Sequence, residues 1–181
     1  MIHSRGIAGL LLSGLLLVSA SDGQRRHDAL TSIEVDQLRD QAQEPNLRLK
    51  LFVQFARQRL DAIDKARSDP KITDRGAVTR DGLQSFLDVY DEMNDNVDAF
   101  DDQKADFRTA LKLISGADVE FHAKLRALQA SASPSQDEVK VYEFVLQAAL
   151  DTVDSSAKDH RELLAEQEEA AKQKKKSNRK K

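Results

Sequence analysis

The chain predicts an all-α protein: an up-down-up-down four-helix bundle, preceded by a short extra N-terminal helix and followed by a basic C-terminal tail. Three observations carry that expectation. Apolar residues recur at spacings of three and four along four long stretches, the period of an amphipathic helix. No stretch alternates with the period of two that a half-buried strand requires. The 181 residues are 33% charged and 40% apolar, with only seven glycines and three prolines, which suits one helical domain with extensions.

The first twenty residues read as an address. Arg5 precedes the apolar run GIAGLLLSGLLLV, and Val18-Ser19-Ala20 places small residues where a signal peptidase inspects them. The run is about 13 residues, short of the roughly 20 that a spanning helix needs. Residues 1–20 are therefore expected to be a Sec signal peptide cleaved after Ala20. The protein would then be periplasmic or secreted, and not transmembrane once the signal is removed. Residues 21–29 are polar and expected to be disordered.

The bundle domain is expected over residues 30–165. Thr31 with Glu34 forms a capping-box pattern, and Leu30 with Val35 a hydrophobic staple. Ile33, Leu38 and Ala42 continue this first helix until Glu44-Pro45 stops it. Asn46 is placed to cap the second helix, which would bury Leu49, Phe52, Val53, Ala56, Leu60, Ile63 and Ala66. Ser68-Asp69-Pro70 ends it, and KITDRGAVTR reads as a loop. Leu83, Phe86, Tyr90, Met93, Val97 and Phe100 then follow a heptad seam. The seam resumes at Phe107 with Leu111, Ile114, Asp118, Phe121, Leu125 and Leu128. One helix across both would be far above the usual length, so a break is expected at Asp101 to Lys104, with Asp101 or Asp102 as the next cap. Gly116 weakens the fourth helix by about 1 kcal/mol relative to Ala. After the loop ASASPSQ, the last helix carries Val139, Tyr142, Leu146, Ala149, Val153, Ser156, His160 and Leu163. Its stripe stops at Leu164, so residues 166–181 are expected to be a charged extension that frays into the tail.

Few residues point to chemistry. Cysteine is absent, which removes disulfides, thiolate metal sites and cysteine nucleophiles. No Glu-x-x-His pair of the ferritin type occurs, and there is no Gly-rich phosphate loop, nucleophile elbow or zinc-protease motif. Asp118 and His122, four residues apart, suit a surface hydrogen bond better than a metal. Asp91, Glu92, Asp95, Asp98, Asp101 and Asp102 form an acidic face that a helix splays outward, unlike a calcium loop. No catalytic, cofactor-binding or metal residues are therefore assigned, no cofactor is expected, and the protein is not expected to be an enzyme.

Two polar seam positions stand out. An antiparallel register brings Asp118 near Tyr90, whose hydroxyl can donate to the carboxylate. The same register sets His160 level with Leu49, Phe100 and Phe107 near the bundle end. There it would form, with Ser156, a polar layer that sets register, and His160→Leu would be neutral or stabilising. The alternative is a small-ligand carrier or enzyme with a pocket at the bundle end near His160.

The charge is divided. The total is -3. Without Arg5 there remain 27 basic and 31 acidic residues; without the seven tail cations the count is 20 against 31, so residues 21–171 carry -11. Lys172, Lys174, Lys175, Lys176, Arg179, Lys180 and Lys181 are the candidates for contact with a polyanion, such as an anionic envelope surface or polymer. The plain alternative is a solubilising end. The tail has no aromatic residue to stack on a base, so sequence-specific nucleic-acid binding is not expected.

The stretches EPNLRLKLFVQFARQRL, NDNVDAF, ADVEFHAKLRAL and SSAKDHRELLAEQEEAAKQKKK resemble an uncharacterised family of exported all-helical proteins from soil bacteria of the acidobacterial type. That resemblance implies export and a helical fold. It implies no activity, substrate or site.

Overall fold

Five helices and no strand occupy the described residues, 29–131 and 134–179 of a computed structural model. The expected signal peptide (residues 1–20), residues 21–28, Ala132, Ser133, Lys180 and Lys181 lie outside them. None of the helices is long and apolar enough to cross a membrane.

Helix α1, Ser32–Asp40, starts at the expected capping box. The Thr31 N–H donates to Glu34 Oε2 at 2.7 Å, and the Glu34 N–H donates to Thr31 Oγ1 at 3.3 Å. The face it docks differs from the apolar one expected. Ile33 is 70% exposed, and Ala42 falls beyond the helix, while Glu34 and Leu38 are buried. The reason is Arg59 of α2, whose guanidinium grips both Glu34 oxygens, at 2.8 and 2.6 Å. Burial raises the Glu34 pKa, but the hydrogen bonds from Arg59 and Thr31 outweigh it and hold the carboxyl below its usual value. Arg48 completes the dock by donating to the Leu38 carbonyl at 2.6 Å.

Helix α2, Pro45–Ser68, opens with proline at its first turn, and Asn46 lies inside it rather than capping it. Its buried set includes Phe55, absent from the expected seam, whereas Ala66 is only half-buried. Helix α3, Arg75–Asp102, begins within the expected loop, capped by the Asp74 carboxylate on the Ala77 N–H at 3.0 Å. Its early start lets glycine bring helices close. A Cβ on Gly82 would lie 2.5 Å from Ile63 Cγ1 of α2, and one on Gly76 would lie 3.2 Å from Val141.

The expected break falls where the seam places it. Helix α3 ends at Asp102 and helix α4 runs Arg108–Gln129. Lys104, with φ 57°, takes the left-handed position past the helix end. Its N–H donates to the Asp101 carbonyl at 2.8 Å, and the Ala105 N–H to Phe100 at 3.0 Å. That pair of bonds is a Schellman motif built without glycine.

The cap of α4 comes from elsewhere. Neither Asp101 nor Asp102 supplies it. The Ala110 N–H donates to Asn46 Oδ1 of α2 at 2.9 Å, while Asn46 Nδ2 donates to the Asp106 carbonyl at 3.2 Å. Asn46→Ala should therefore cost about 1 kcal/mol, the usual value of a lost N-cap, although Asn46 lies in another helix. Urea unfolding measures it, and an unchanged midpoint would mean that α4 has no need of this acceptor.

Helix α5, Gln136–Asn178, is 43 residues long and capped by Ser135 on the Glu138 N–H. It does not fray after Leu164. Gln167 accepts from the Phe107 N–H and donates to the Ala105 carbonyl, each at 3.3 Å, and Lys112 pairs with Glu168 at 2.8 Å. Polar contacts with the α3–α4 connection thus continue the docking where the apolar stripe ends.

The elements pack as two hairpins laid against each other. α2 touches α1, α3 and α4, and α5 touches α3 and α4. Arg48–Asn96, Arg59–Ser85 and Arg67–Thr79 bonds show α2 and α3 antiparallel. Asp118–His160 and His122–Asp154 contacts show the same for α4 and α5. Arg57–Glu120 and Asp61–Lys124 pairs align α2 with α4. Between the hairpins sits one core of Phe52, Phe86, Tyr90, Met93, Phe121 and Tyr142, each essentially without exposure.

Candidate functional site

Three polar side chains from three helices meet inside this core. Tyr90 of α3, Asp118 of α4 and His160 of α5 all stand on seam positions, so each projects inward. The Tyr90 hydroxyl donates to Asp118 Oδ1 at 2.8 Å, and His160 Nδ1 lies 2.9 Å from Asp118 Oδ2. Burial, with the Asp118 charge next, pushes the Tyr90 phenol far up, so it remains a donor. Each carboxylate oxygen of Asp118 thus meets one partner, Tyr90 on one side and the His160 ring on the other.

Aromatic rings enclose the cluster. Phe86 stacks on Tyr90 at 5.6 Å between centroids, and Phe121 meets Phe86 edge-on at 5.5 Å and Tyr90 at 6.2 Å. Such walls shield the Tyr90 side of the network, where the polar groups satisfy one another, while His160 borders a groove.

The Tyr90–Asp118 bond is the expected one. The place of His160 is not. A direct turn from α4 into α5 would set it beside Phe107, whereas Asp118 lies about three helical turns further into α4. The opening turns of α5 pack instead on the start of α3, where Gly76 faces Val141 and Glu138. Arg67 of α2 holds Glu138 there at 3.0 Å and lies over the Tyr142 ring. That displacement slides α5 along α4 and carries His160 to mid-bundle. Nor do Asp118 and His122 share a surface: Asp118 turns inward, and His122 meets Asp154 at 3.2 Å.

On the solvent side of His160 a groove of about 490 Å³ lies between α3 and α5. Asn94 and Ser156, neither singled out as a pair by the sequence, bridge these helices at its inner edge, with Asn94 Nδ2 donating to Ser156 Oγ at 3.0 Å. Ser156 is the seam residue expected in a layer with His160, but its partner is Asn94, which stands next to the seam residue Met93 and four residues from Tyr90. Ser156 makes no bond to His160, so the Asp–His pair does not extend to a serine nucleophile. Among the described residues, no three His, Asp or Glu side chains converge in a way that could hold a metal ion.

The tail candidates divide. Lys172, Lys174, Lys175 and Lys176 are exposed on the last turns of α5, and Arg179 follows its end. Lys174 borders a second groove at the α3–α4 connection, about 440 Å³, with Asp106 and Arg108. There the Arg108 hydrogen bond chiefly, and Lys174 more weakly, lower the Asp106 pKa.

Fold and site together define an all-α helical bundle with a buried Tyr–Asp–His network and a basic helical end. No family model, no curated protein and no solved structure matches the chain.

Proposed function

We propose that the chain is an exported, non-enzymatic interaction protein: an up-down-up-down four-helix bundle, α2 to α5, that presents a basic helical end to a polyanion of the cell envelope. The observation that carries this reading is the continuity of the last helix to Asn178. Helix α5 is fastened through Gln167 and Glu168 and continues to Asn178, so Lys172, Lys174, Lys175 and Lys176 ride on one continuous helix. A helix C-terminus also carries partial negative charge, which favours cations in its last turn. Four lysines in under two turns concentrate charge that a random tail would spread. The acidic body, at -11 over residues 21–171, repels the same surface and sets the helix end as the point of contact.

The test is co-sedimentation with anionic and neutral vesicles at low and high salt, using the full chain and a chain truncated after Ala171. Binding should be confined to anionic vesicles, should fall steeply with salt, and should vanish on truncation, because each Lys or Arg near such a surface contributes about 1 kcal/mol. Equal sedimentation of both chains would reject the proposal and leave the tail as a solubilising end.

A further inference from the structure

Among the described residues, Arg75 is the one half-buried arginine with nothing to hold. Arg48, Arg57, Arg59, Arg67 and Arg108 are half-buried too, and each donates to a side-chain acceptor. Arg75, the first residue of α3, makes no ion pair among the described residues, and its Nε is buried without a hydrogen-bond partner. A guanidinium keeps its proton at any ordinary pH, so this is a charged donor left unmatched. Buried polar groups in native proteins are rarely so, and one that is points to a missing partner. Arg75 lines a pocket of about 230 Å³ at one end of the bundle. Its other walls are Arg67 and Ser68 from the end of α2, Ser131 and Pro134 from the α4–α5 connection, and Glu138 from α5. Two guanidiniums thus meet one carboxylate, and Arg67 already holds that carboxylate at 3.0 Å. Arg67 also donates to Thr79 Oγ1 at 3.0 Å and lies 5.6 Å from the Tyr142 ring centroid, so it is fixed before any ligand arrives.

We propose that this pocket binds a phosphate group, carried by a small phosphomonoester or free in solution, with Arg75 as its principal donor. The forked N–H groups of a guanidinium match the oxygens of such an anion. Arg67 adds the second positive charge, and the Ser131 hydroxyl is a further donor from the α4–α5 connection. Ser68 forms wall only, because its hydroxyl donates to the Asp64 carbonyl at 2.8 Å. Donors reaching in from α2, α3 and that connection suit oxygens arranged tetrahedrally better than the planar pair of a carboxylate. The volume is below that of a drug-sized site, which keeps the ligand small. Glu138 acts as a positioning residue by holding Arg67. The inference is independent of the basic helix end, which lies at the other end of α5.

Inorganic phosphate and glycerol 3-phosphate, titrated calorimetrically into the full chain at about 150 mM salt, test the site, with acetate as the carboxylate control. One ligand should bind per chain, and the tighter of the two phosphates tells the ester from the free ion. Arg75→Gln should weaken binding about tenfold or more. Its urea midpoint without phosphate should stay where it is, because Arg75 holds no other side chain among the described residues. Arg80→Gln, on the same helix but outside the pocket and paired with Asp81, should leave binding unchanged. Truncation after Ala171 should leave it unchanged as well, which separates this site from the vesicle contact. No saturable heat from either phosphate below about 10 mM, equal binding of acetate, or equal weakening by Arg75→Gln and Arg80→Gln would each overturn the proposal.

Discussion

Asp118→Ala should destabilise the protein by about 3–5 kcal/mol, a large part of the 5–15 kcal/mol that holds most domains folded. The cost arises from what remains. The Tyr90 hydroxyl and the His160 Nδ1–H would both be left in the core with no acceptor, and each such group costs about 1–3 kcal/mol. His160→Leu should also destabilise, because Asp118 Oδ2 then loses its partner. This reverses the expectation that a polar seam residue could be exchanged singly for an apolar one. The triple variant Tyr90→Phe/Asp118→Leu/His160→Leu removes donors and acceptor together and should recover most of the loss, since a buried polar network adds little over a well-packed apolar one. Urea denaturation of the four proteins gives the comparison. An Asp118→Ala cost below about 1 kcal/mol would mean that water, not Asp118, satisfies Tyr90 and His160.

The seam from Leu83 to Phe100 was legible because each member lies on one heptad stripe and each is buried. The same logic found Tyr90–Asp118, since two polar residues on facing stripes have few other partners. It missed His160–Asp118 because register was inferred from the shortest turn between α4 and α5. The actual offset is set by Gly76 and Arg67, which act on α5 from the other hairpin and leave no mark in its own periodicity. Asn46 was read as a cap for its own helix for a similar reason: local sequence names the capping side chain but not the helix it caps. The docking of Gln167 and Glu168 is polar, so a search for apolar stripes ended at Leu164, three residues early. Glu34 shows the same limit, where a carboxylate, not the neighbouring Ile33, turns inward because Arg59 waits there. Periodicity reports which face is buried by apolar contact, and polar contacts that leave that stripe, or that depend on register, are invisible to it.

Phe121→Ala is the second large effect and should cost about 3–5 kcal/mol. Phe121 has no exposure, and its ring abuts Phe86 and Tyr90 edge-on at interplanar angles of 80° and 79°. Removing it takes away apolar burial and two aromatic pairs, each worth about 0.5–1.5 kcal/mol beyond area alone. The cavity would open beside the buried carboxylate of Asp118, one turn earlier on the same helix, so its lining would be part apolar and part polar. Phe144→Ala makes the control: at 85% exposed, Phe144 should change stability by no more than about 0.5 kcal/mol. Both variants can be read from urea midpoints with the slope unchanged, because neither alters the surface exposed on unfolding by much. A loss for Phe121→Ala no larger than that for Phe144→Ala would mean that the aromatic wall does not hold the Tyr90–Asp118–His160 network. The side-chain contact between α3 and α4 across the core would then have to rest on other residues.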